Sequence, residues 1–565
     1  MPPPRSSAHE APVSPRLRGL VLAAAALLLL AGLDAVDLWA PDEPRYAQVA
    51  EELRSGEHGP AGLVLLHLNG EPYTQKPPLY FWLAAGIGAP LGRVTELAAR
   101  LPSALAGIAL VALTAALGSR LLGGGAGLLG AALLLSTFSF AHLARRAQLD
   151  PLLALLETAA LAAFFRLDRG LGARTANLAA MHAALGLAVL AKGPVGFLVP
   201  LLVVGLYLVW ERRPREIARV FPAWALVLSL GPGLAWLGAA LALAPPGTFG
   251  EAVGANVFGR FFAGTSHERP FYYYLYQFPV DALPWTALWP AVFLAARRRV
   301  FVADPALRDP ASLRAWRFLL AWVGASVLFF SLSAGKRGLY LLPALPAATL
   351  LCADACSRLL GALARPPRAV GIGAAGGAAL LTALGAAALA APWLPLELPS
   401  GFSSLRLAAF GAAALGIAAA AAVAWRLQTR HFAPPPARLG IAVAATLGIE
   451  LAAFLLLYPA LDAGKSARPV ALAAARLTDP AHPVGLLGDR ALAGGLVYYG
   501  GRRVTLLSTP ESVERFVAEG GRAIVVQERK LARVEAVAPV RVAARFREGR
   551  RALLVVSPAG ARSGP

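Results

Sequence analysis

Long runs of apolar residues dominate this chain. About fourteen stretches of spanning or near-spanning length lie between residues 17 and 458. Only 15% of the 565 residues are charged, against about 25% in soluble proteins. A backbone in lipid must satisfy its own hydrogen bonds, and a helix does so within one segment. The sequence therefore predicts an α-helical polytopic membrane protein.

The positions of the arginines indicate in which direction each of these helices crosses the membrane. The chain has 53 Lys and Arg residues against 32 Asp and Glu, and the basic clusters fall between apolar runs. Nucleic-acid binding is disfavoured because such proteins gather their arginines on one module. Fourteen crossings would place the cluster at 212–215 and the later basic loops on the wrong side for the positive-inside rule. Treating the short run 79–92 as an interfacial helix repairs this, which leaves about thirteen spans.

The predicted topology divides the chain into two parts. A transmembrane domain covers 1–458 with a cytoplasmic N-terminus, and residues 34–78 form its first external loop with interfacial helices. Short apolar segments alternate with amphipathic stretches from 459 to 565. This alternation predicts a soluble α/β domain at 459–565, on the external face.

Two carboxylates stand at the external ends of predicted helices. Asp42, in Asp42-Glu43-Pro44-Arg45-Tyr46, follows the first apolar run, and Asp150 precedes Pro151 at the start of a later run. Each carboxylate alone is also typical of a helix N-cap. Two carboxylates on one membrane face are what acid–base or metal-assisted transfer requires. Asp42 and Asp150 are therefore the catalytic candidates, and Glu43 receives no role.

Four cations share that predicted face. Arg45 lies beside Asp42, and Pro77-Pro78 stiffen the backbone after Lys76. Each cation alone is typical of a side chain that snorkels to the membrane surface. Together they suit a phosphate-bearing ligand. The phosphate-binding candidates are Arg45, Lys76, Lys192 and Lys336.

Aromatic residues follow His267 in the segment His267-Glu268-Arg269-Pro270-Phe271-Tyr272-Tyr273. Such a run is typical of an interfacial belt. A sugar-stacking wall with a histidine ligand or base is the alternative. Six other histidines, His142 among them, show no ligand spacing and receive no role.

Two longer patterns carry a family resemblance. Asp42-Glu43-x-Arg45-Tyr46 is followed by Leu68-Asn69-Gly70-x-Pro72-Tyr73-x-x-Lys76-Pro77-Pro78. This pair resembles the aminoarabinose transferase and protein O-mannosyltransferase group of C-type glycosyltransferases, which take sugars from polyprenyl phosphate. Supporting segments are Ala99-Arg100-Leu101-Pro102-Ser103, Gln148-Leu149-Asp150, Lys192-Gly193-Pro194 and Leu461-Asp462. The resemblance implies the C-type glycosyltransferase fold with about thirteen spans and an external soluble domain.

The resemblance also implies roles for the candidates. Asp42 would orient or deprotonate the acceptor, with Asp150 as its acidic partner. Arg45 and Lys76 would neutralise the lipid phosphate as the sugar–phosphate bond breaks. The substrate-binding candidates are Tyr46, Gln75, His267 and Tyr273.

Two positions depart from the family pattern. Gln75 stands where the aminoarabinose branch usually has Glu, a candidate metal ligand. Arg337-Gly338 follows Lys336 where the family favours Leu-Pro. The candidate cofactor is therefore a divalent metal ion, and no residue is assigned as its ligand.

We predict a glycosyltransferase of the cell inner membrane that acts at the periplasmic face. It would transfer a sugar from a polyprenyl-phosphate donor to a lipid A-like lipid or a glycan, without a nucleic-acid partner. Protein O-glycosylation is the alternative within this class, and a transporter or flippase for lipid-linked sugars is the alternative outside it. A transporter should carry ionisable residues near the bilayer midplane and show inverted repeats, whereas here the charges gather at one face.

Overall fold

Helices account for most of the chain before residue 476. The computed structural model describes residues 14–248, 268–302, 309–359, 383, 385–393, 403–430, 435–548 and 551–558. The helices in the first part are α1 (Pro15–Leu30), α2 (Asp42–Ser55), α3 (Leu79–Gly88), α4 (Glu96–Leu122), α5 (Gly124–Leu135), α6 (Phe138–Ala144), α7 (Asp150–Asp168), α8 (Arg174–Lys192), α9 (Val195–Trp210), α10 (Glu216–Val220) and α11 (Ala223–Leu243). They are followed by α12 (Tyr273–Asp281), α13 (Trp289–Ala296), α14 (Pro310–Leu332), α15 (Leu345–Asp354), α16 (Ser404–Arg430), α17 (Pro435–Ala452), α18 (Tyr458–Asp462) and α19 (Arg468–Ala475).

Side-chain caps begin two of the long helices. The hydroxyl of Thr95 accepts a hydrogen bond from the backbone N–H of Ala98, at 3.2 Å, at the start of α4. The carboxylate of Asp309 accepts from two backbone N–H groups at the start of α14, and Pro310 takes the first helical position. These residues satisfy N–H groups that have no partner inside a helix.

Seven helices in the described part are long and apolar enough to cross a membrane, or up to nine if each of two bent pairs is one span. The seven are Glu96–Leu122, Arg174–Lys192, Ala223–Leu243, Pro310–Leu332, Gly338–Ser357, Ser404–Arg426 and Leu439–Asp462. The apolar helix Leu79–Leu91 is shorter than these seven, and its interfacial position stays a prediction. The count of about thirteen stays a prediction because ranges such as 360–382 lie outside the described residues.

The helices enclose a buried apolar core, and they also leave apolar side chains on the outer surface of the protein. Trp316 and Trp322 are fully buried at the centre of a cluster that includes Phe140 and Phe164. Only 11% of the apolar window of α11 is buried within the protein. A soluble protein rarely leaves such a helix uncovered, so the acyl chains of a bilayer complete its environment.

A small mixed sheet follows the helical part. The strands are β3 (Val484–Leu487), β4 (Val504–Leu506), β5 (Ile524–Gln527), β6 (Val540–Glu548) and β7 (Arg551–Pro558), after a two-stranded hairpin of β1 (His67–Leu68) and β2 (Glu71–Pro72). The sheet order is β4-β3-β5-β7-β6. Strand β3 pairs in parallel with β4 and β5, whereas β7 is antiparallel to β5 and β6. All residues of β3 and β5 are buried, as expected for central strands covered on both faces.

Three helices complete this region: α20 (Ala493–Gly500), α21 (Pro510–Ala518) and α22 (Leu531–Glu535). The α/β character predicted for the end of the chain is therefore confirmed. The domain boundary at 459 stays a prediction, and the last apolar helix runs slightly past it, to Asp462.

Helices α4 and α5 form a tight hairpin around Gly123. A Cβ atom at Gly127 would lie 2.2 Å from the backbone nitrogen of Ser119, which is far inside contact distance. In the same helix, a Cβ atom at Gly125 would have no neighbour within 4 Å. Close helix–helix approach in membranes depends on such small residues.

We expect Gly127→Ala to destabilise the protein by about 1–3 kcal/mol because the added methyl group overpacks the hairpin. Gly125→Ala is the matched control in the same helix. It should leave stability unchanged or raise it, since Ala favours helix over Gly. Thermal unfolding of the purified proteins in detergent measures both effects. Equal stability of the two variants would contradict the close approach.

Candidate active site

Asp42 lies between two guanidinium groups. It begins α2 and is only 3% exposed. Arg45, one turn along the helix, donates to one carboxylate oxygen, and Nη2 of Arg337 donates to the other at 3.0 Å. Gln148 donates a further hydrogen bond. Burial raises the pKa of Asp42, but the charges of Arg45 and Arg337 outweigh burial and hold this pKa below its usual value. Asp42 is therefore an anion at neutral pH.

Glu43 is the centre of a fully buried network. Nε of Arg100 donates to its Oε1 at 2.9 Å, and Nη2 of Arg146 lies 3.2 Å from its Oε2. The backbone N–H groups of Ala147 and Trp39 donate to the same carboxylate at 2.9 and 3.0 Å. Burial raises the pKa of Glu43, but these groups, led by the charges of Arg100 and Arg146, lower it to about 2. The sequence gives no sign of this structural role of Glu43, because several of its partners are distant in the chain, up to 104 positions away.

Arg100 also determines the path of the first loop. Its Nη1 donates to the carbonyl oxygens of Leu33 and Val36 at 2.9 and 2.8 Å. Its Nη2 donates to the carbonyl oxygen of Asp37 at 2.7 Å. One side chain of α4 therefore holds both the carboxylate of Glu43 and the backbone that leads to α2.

Asp150 belongs to the same cluster as Asp42. It begins α7, is 3% exposed and pairs with the ammonium of Lys192 at the end of α8. The charges of both carboxylates act on Tyr46 and on Arg337. The two predicted catalytic carboxylates are therefore close enough to share one site, although they are 108 positions apart in sequence (150 minus 42).

The lysine candidates have different surroundings. Lys192 is held by Asp150, and its Nζ lies 4.8 Å from the centre of the Tyr340 ring. Lys336 is 3% exposed, and its Nζ donates to the backbone carbonyl oxygens of Ser333 and of Arg269, the latter at 3.1 Å. Lys76 is half-buried in the loop before α3.

The predicted substrate-binding residues differ in how far they are buried. Tyr46 is buried and packs edge-on against Phe81, with the Arg45 guanidinium 5.3 Å from its ring centre. Gln75 is exposed, and Tyr273 is half-buried at the start of α12. His267 lies outside the described residues.

A cavity of about 300 Å³ lies beside Asp42. Its polar lining consists of Asp42, Ser139, His142, Arg146, Gln148, Asp281 and Arg337. Six of these seven residues, all but Asp42, received no role from the sequence. Gln148 and Arg337 were at least adjacent to motif residues, whereas nothing in the pattern around Asp281 marked it. The guanidinium groups of Arg146 and Arg337 in this lining can hold an anionic group.

The donor set does not fit a resident divalent metal ion in the part of the chain that is described. No group of three or more His, Cys, Asp or Glu side chains there is placed to ligate a metal. Gln75, at the position of the candidate family ligand, is exposed. We therefore derive no step through a metal ion.

The end of the last apolar helix and the α/β region hold the residues just before Asp42. The carboxylate of Asp462 accepts from Nε1 of Trp39 at 2.7 Å and from the backbone N–H of Asp37 at 3.2 Å. The hydroxyl of Tyr499, in α20, accepts from the backbone N–H of Leu38 at 2.6 Å. Helix α20 also packs against α2. The candidate site therefore depends on contacts across the whole chain.

We expect Glu43→Gln to destabilise the protein at neutral pH by roughly 3 kcal/mol, the free energy that corresponds to a pKa lowered from 4.5 to about 2. A carboxylate with a lowered folded-state pKa stabilises the fold fully above about 4.5, and this contribution is lost as pH falls toward about 2. The difference in free energy of unfolding between Glu43→Gln and the wild type should therefore shrink as pH falls from about 4.5 toward about 2.

Unfolding of the variant and the wild type in detergent, at a series of pH values, measures this difference in free energy. Glu57→Gln is the control, because Glu57 is 48% exposed in a surface pair with Arg503. If Glu43→Gln lowered the free energy of unfolding by no more than the control does, the buried network would not be stabilising.

Comparisons with known proteins support the resemblance. A family model described as dolichyl-phosphate-mannose-protein mannosyltransferase matches residues 18–245. The undecaprenyl phosphate-alpha-4-amino-4-deoxy-L-arabinose arabinosyl transferase 2 of Pseudomonas fluorescens is 32% identical over 339 residues, which are 59% of this chain and 55% of that protein. A transferase of the same description from Pseudomonas aeruginosa is 32% identical over 345 residues, which are 60% and 59% of the two chains. The match thus spans less than two thirds of these relatives' own length.

Solved structures share the fold. ArnT from Cupriavidus metallidurans, bound to undecaprenyl phosphate, superimposes with a TM-score of 0.78 at 22% identity and covers 97% of this chain and 99% of its own. The Archaeoglobus fulgidus oligosaccharyltransferase AglB, in complex with an inhibitory peptide and a dolichol-phosphate, gives a TM-score of 0.50 at 13% identity and covers 93% and 71%. The resemblance predicted from the sequence is thereby confirmed: this chain is a multi-pass membrane protein with the C-type glycosyltransferase fold, and part of it is similar to the aminoarabinose transferases and the protein mannosyltransferases.

Proposed function

We propose that the chain is a glycosyltransferase that moves a sugar from a polyprenyl-phosphate donor to a lipid A-like lipid or a glycan. The site would face the periplasm from the inner membrane, with the N-terminus in the cytoplasm and the α/β region outside. The observation that carries the proposal is an ionised carboxylate, Asp42, held by Arg45 and Arg337 at the wall of a charged cavity. The relatives are named for transfer from an undecaprenyl-phosphate sugar, which supports the donor class.

In this reaction a bond forms between an acceptor oxygen and the anomeric carbon of the sugar, and the bond from that carbon to the donor phosphate breaks. Asp42 accepts the proton of an acceptor hydroxyl, or orients an acceptor that is already an anion. Polyprenyl phosphate leaves with the electron pair of the broken bond. Arg45 and Arg337 adjoin Asp42, where they neutralise the growing phosphate charge, and Lys76 binds the donor phosphate.

Asp150 and Lys192 support this arrangement as a buried pair. The two side chains carry opposite charges, so the pair adds no net charge to the site. The Asp150 carboxylate still stabilises the guanidinium of Arg337, which Asp42 also holds. We propose that Asp150 is the second acidic residue of the site and that Lys192 orients its carboxylate.

Protein O-glycosylation is the second candidate. The mannosyltransferase family model covers residues 18–245, which include Asp42 and Asp150. The donor chemistry is common to both candidates, and only the acceptor differs. Label from a polyprenyl-phosphate sugar would appear in the lipid fraction under the first proposal and in protein under the second.

We expect Asp42→Asn to lower transfer at least about 100-fold because Asn keeps the shape but cannot take a proton or carry the charge. The assay follows labelled sugar from polyprenyl phosphate into the acceptor, using purified protein in lipid. Asp479→Asn is the control, since Asp479 forms a surface pair with Arg522. Full transfer by a folded Asp42→Asn protein would rule out the assignment.

We expect Lys76→Ala to weaken donor binding by about tenfold or more and to change the turnover of bound donor less, because one charge-assisted contact to phosphate is lost. Titration of polyprenyl phosphate against each protein measures the affinity directly. Lys530→Ala is the control in the α/β region. An unchanged affinity in Lys76→Ala would count against phosphate binding by this residue.

A further inference from the structure

Asp281 lines the same cavity as Asp42, and the proposed reaction does not use it. It is the last residue of α12. Its Oδ1 accepts a hydrogen bond from Nε2 of Gln277 at 2.7 Å. Its Oδ2 is buried and has no hydrogen-bond partner among the described residues. A buried acceptor left in this state is costly, so a donor from a ligand would bind there favourably.

The other two carboxylates of the site each form an ion pair with a basic side chain. Asp42 pairs with Arg45 and Arg337, and Asp150 pairs with Lys192. Within the described ranges, no Lys, Arg or His lies within ion-pair distance of Asp281. The cavity lining therefore combines cations that suit a phosphate with an acidic side chain, Asp281, that has no basic partner among the described residues.

Gly338 makes room for this carboxylate. A Cβ atom at Gly338 would lie 3.1 Å from both carboxylate oxygens of Asp281 and 3.0 Å from Nε2 of Gln277. The preceding residue, Arg337, reaches Asp42. The Arg337-Gly338 pair, which departs from the family pattern, therefore shapes the two sides of the cavity at once.

We propose that Asp281 selects substrates that carry an ammonium group, which donates a charge-assisted hydrogen bond to its Oδ2 inside the cavity. The inference rests on the proposed function and deepens it by naming a specificity residue. An ammonium is a better match than a hydroxyl because it brings both the donor and the opposite charge. The group would come from the donor sugar, in line with the amino sugar in the relatives' names, or from the acceptor.

The test compares two polyprenyl-phosphate donors that differ only in an amine or a hydroxyl at one sugar carbon. Asp281→Asn should lower kcat/KM for the amine donor by about 10- to 100-fold and for the hydroxyl donor by less than about twofold. A second arm keeps the hydroxyl donor and compares acceptors with a free or an acetylated amine. A selective loss in the first arm places the ammonium on the sugar, and one in the second arm places it on the acceptor.

Gly338→Ala tests the same inference without removing the charge. The added methyl group would displace the Asp281 carboxylate, so the preference for the amine substrate should fall as in Asp281→Asn. Gly324→Ala is the matched control, since its Cβ atom would have no neighbour within 4 Å. Asp479→Asn controls for loss of a carboxylate elsewhere.

Equal losses for amine and hydroxyl substrates, or no loss for either, would overturn the role of Asp281. This failure is distinct from failure of the proposed function. If the wild-type protein transfers sugar from neither donor, the proposed function fails and the inference falls with it. If the wild type transfers sugar but both variants keep its amine preference, only the inference fails.

Discussion

The buried ion pair between Glu43 and Arg100 is the interaction on which the site depends. Arg100 comes from α4, and it holds Glu43 and the backbone of 33–37 together. Glu43 in turn accepts from the backbone N–H of Ala147, which leads into the turn before Asp150. A buried pair is tolerable only when its remaining hydrogen bonds are made, and here both partners make several. Both carboxylates of the proposed reaction are thus positioned by one neighbouring charge pair.

Asp42 and Glu43 are adjacent acids with different tasks because their partners differ. Glu43 is 1% exposed and its two oxygens are occupied by four donor residues, so it has no capacity for a substrate. Asp42 borders the cavity, and one of its partners, Arg337, keeps 32% of its side chain exposed. A substrate can therefore replace or rearrange the partners of Asp42 without breaking the network around Glu43.

Some of this arrangement could be predicted from the sequence. Apolar run lengths predict the helices, and topology places Asp42 and Asp150 at one face, where the structure brings them into one cluster. The Arg337–Asp42 contact joins residues 295 positions apart, and no local pattern reports such a contact. The sequence pointed to Lys336 instead, which donates to backbone carbonyl oxygens. Side-chain direction in an irregular segment such as 333–338 depends on tertiary packing, so adjacent cations could not be told apart.

The residues of the candidate site come from two parts of the chain. The family model matches residues 18–245, which contain Asp42, Arg45 and Asp150, three of the groups proposed for the reaction. Asp281 and Arg337 complete the cavity from beyond that region. Of these two residues, Arg337 is proposed to act in the reaction beside Asp42, and Asp281 is proposed to select the substrate. Gly338 lies against the Asp281 carboxylate, so under that proposal a change at Gly338 alters the choice of substrate without removing a group proposed for the reaction.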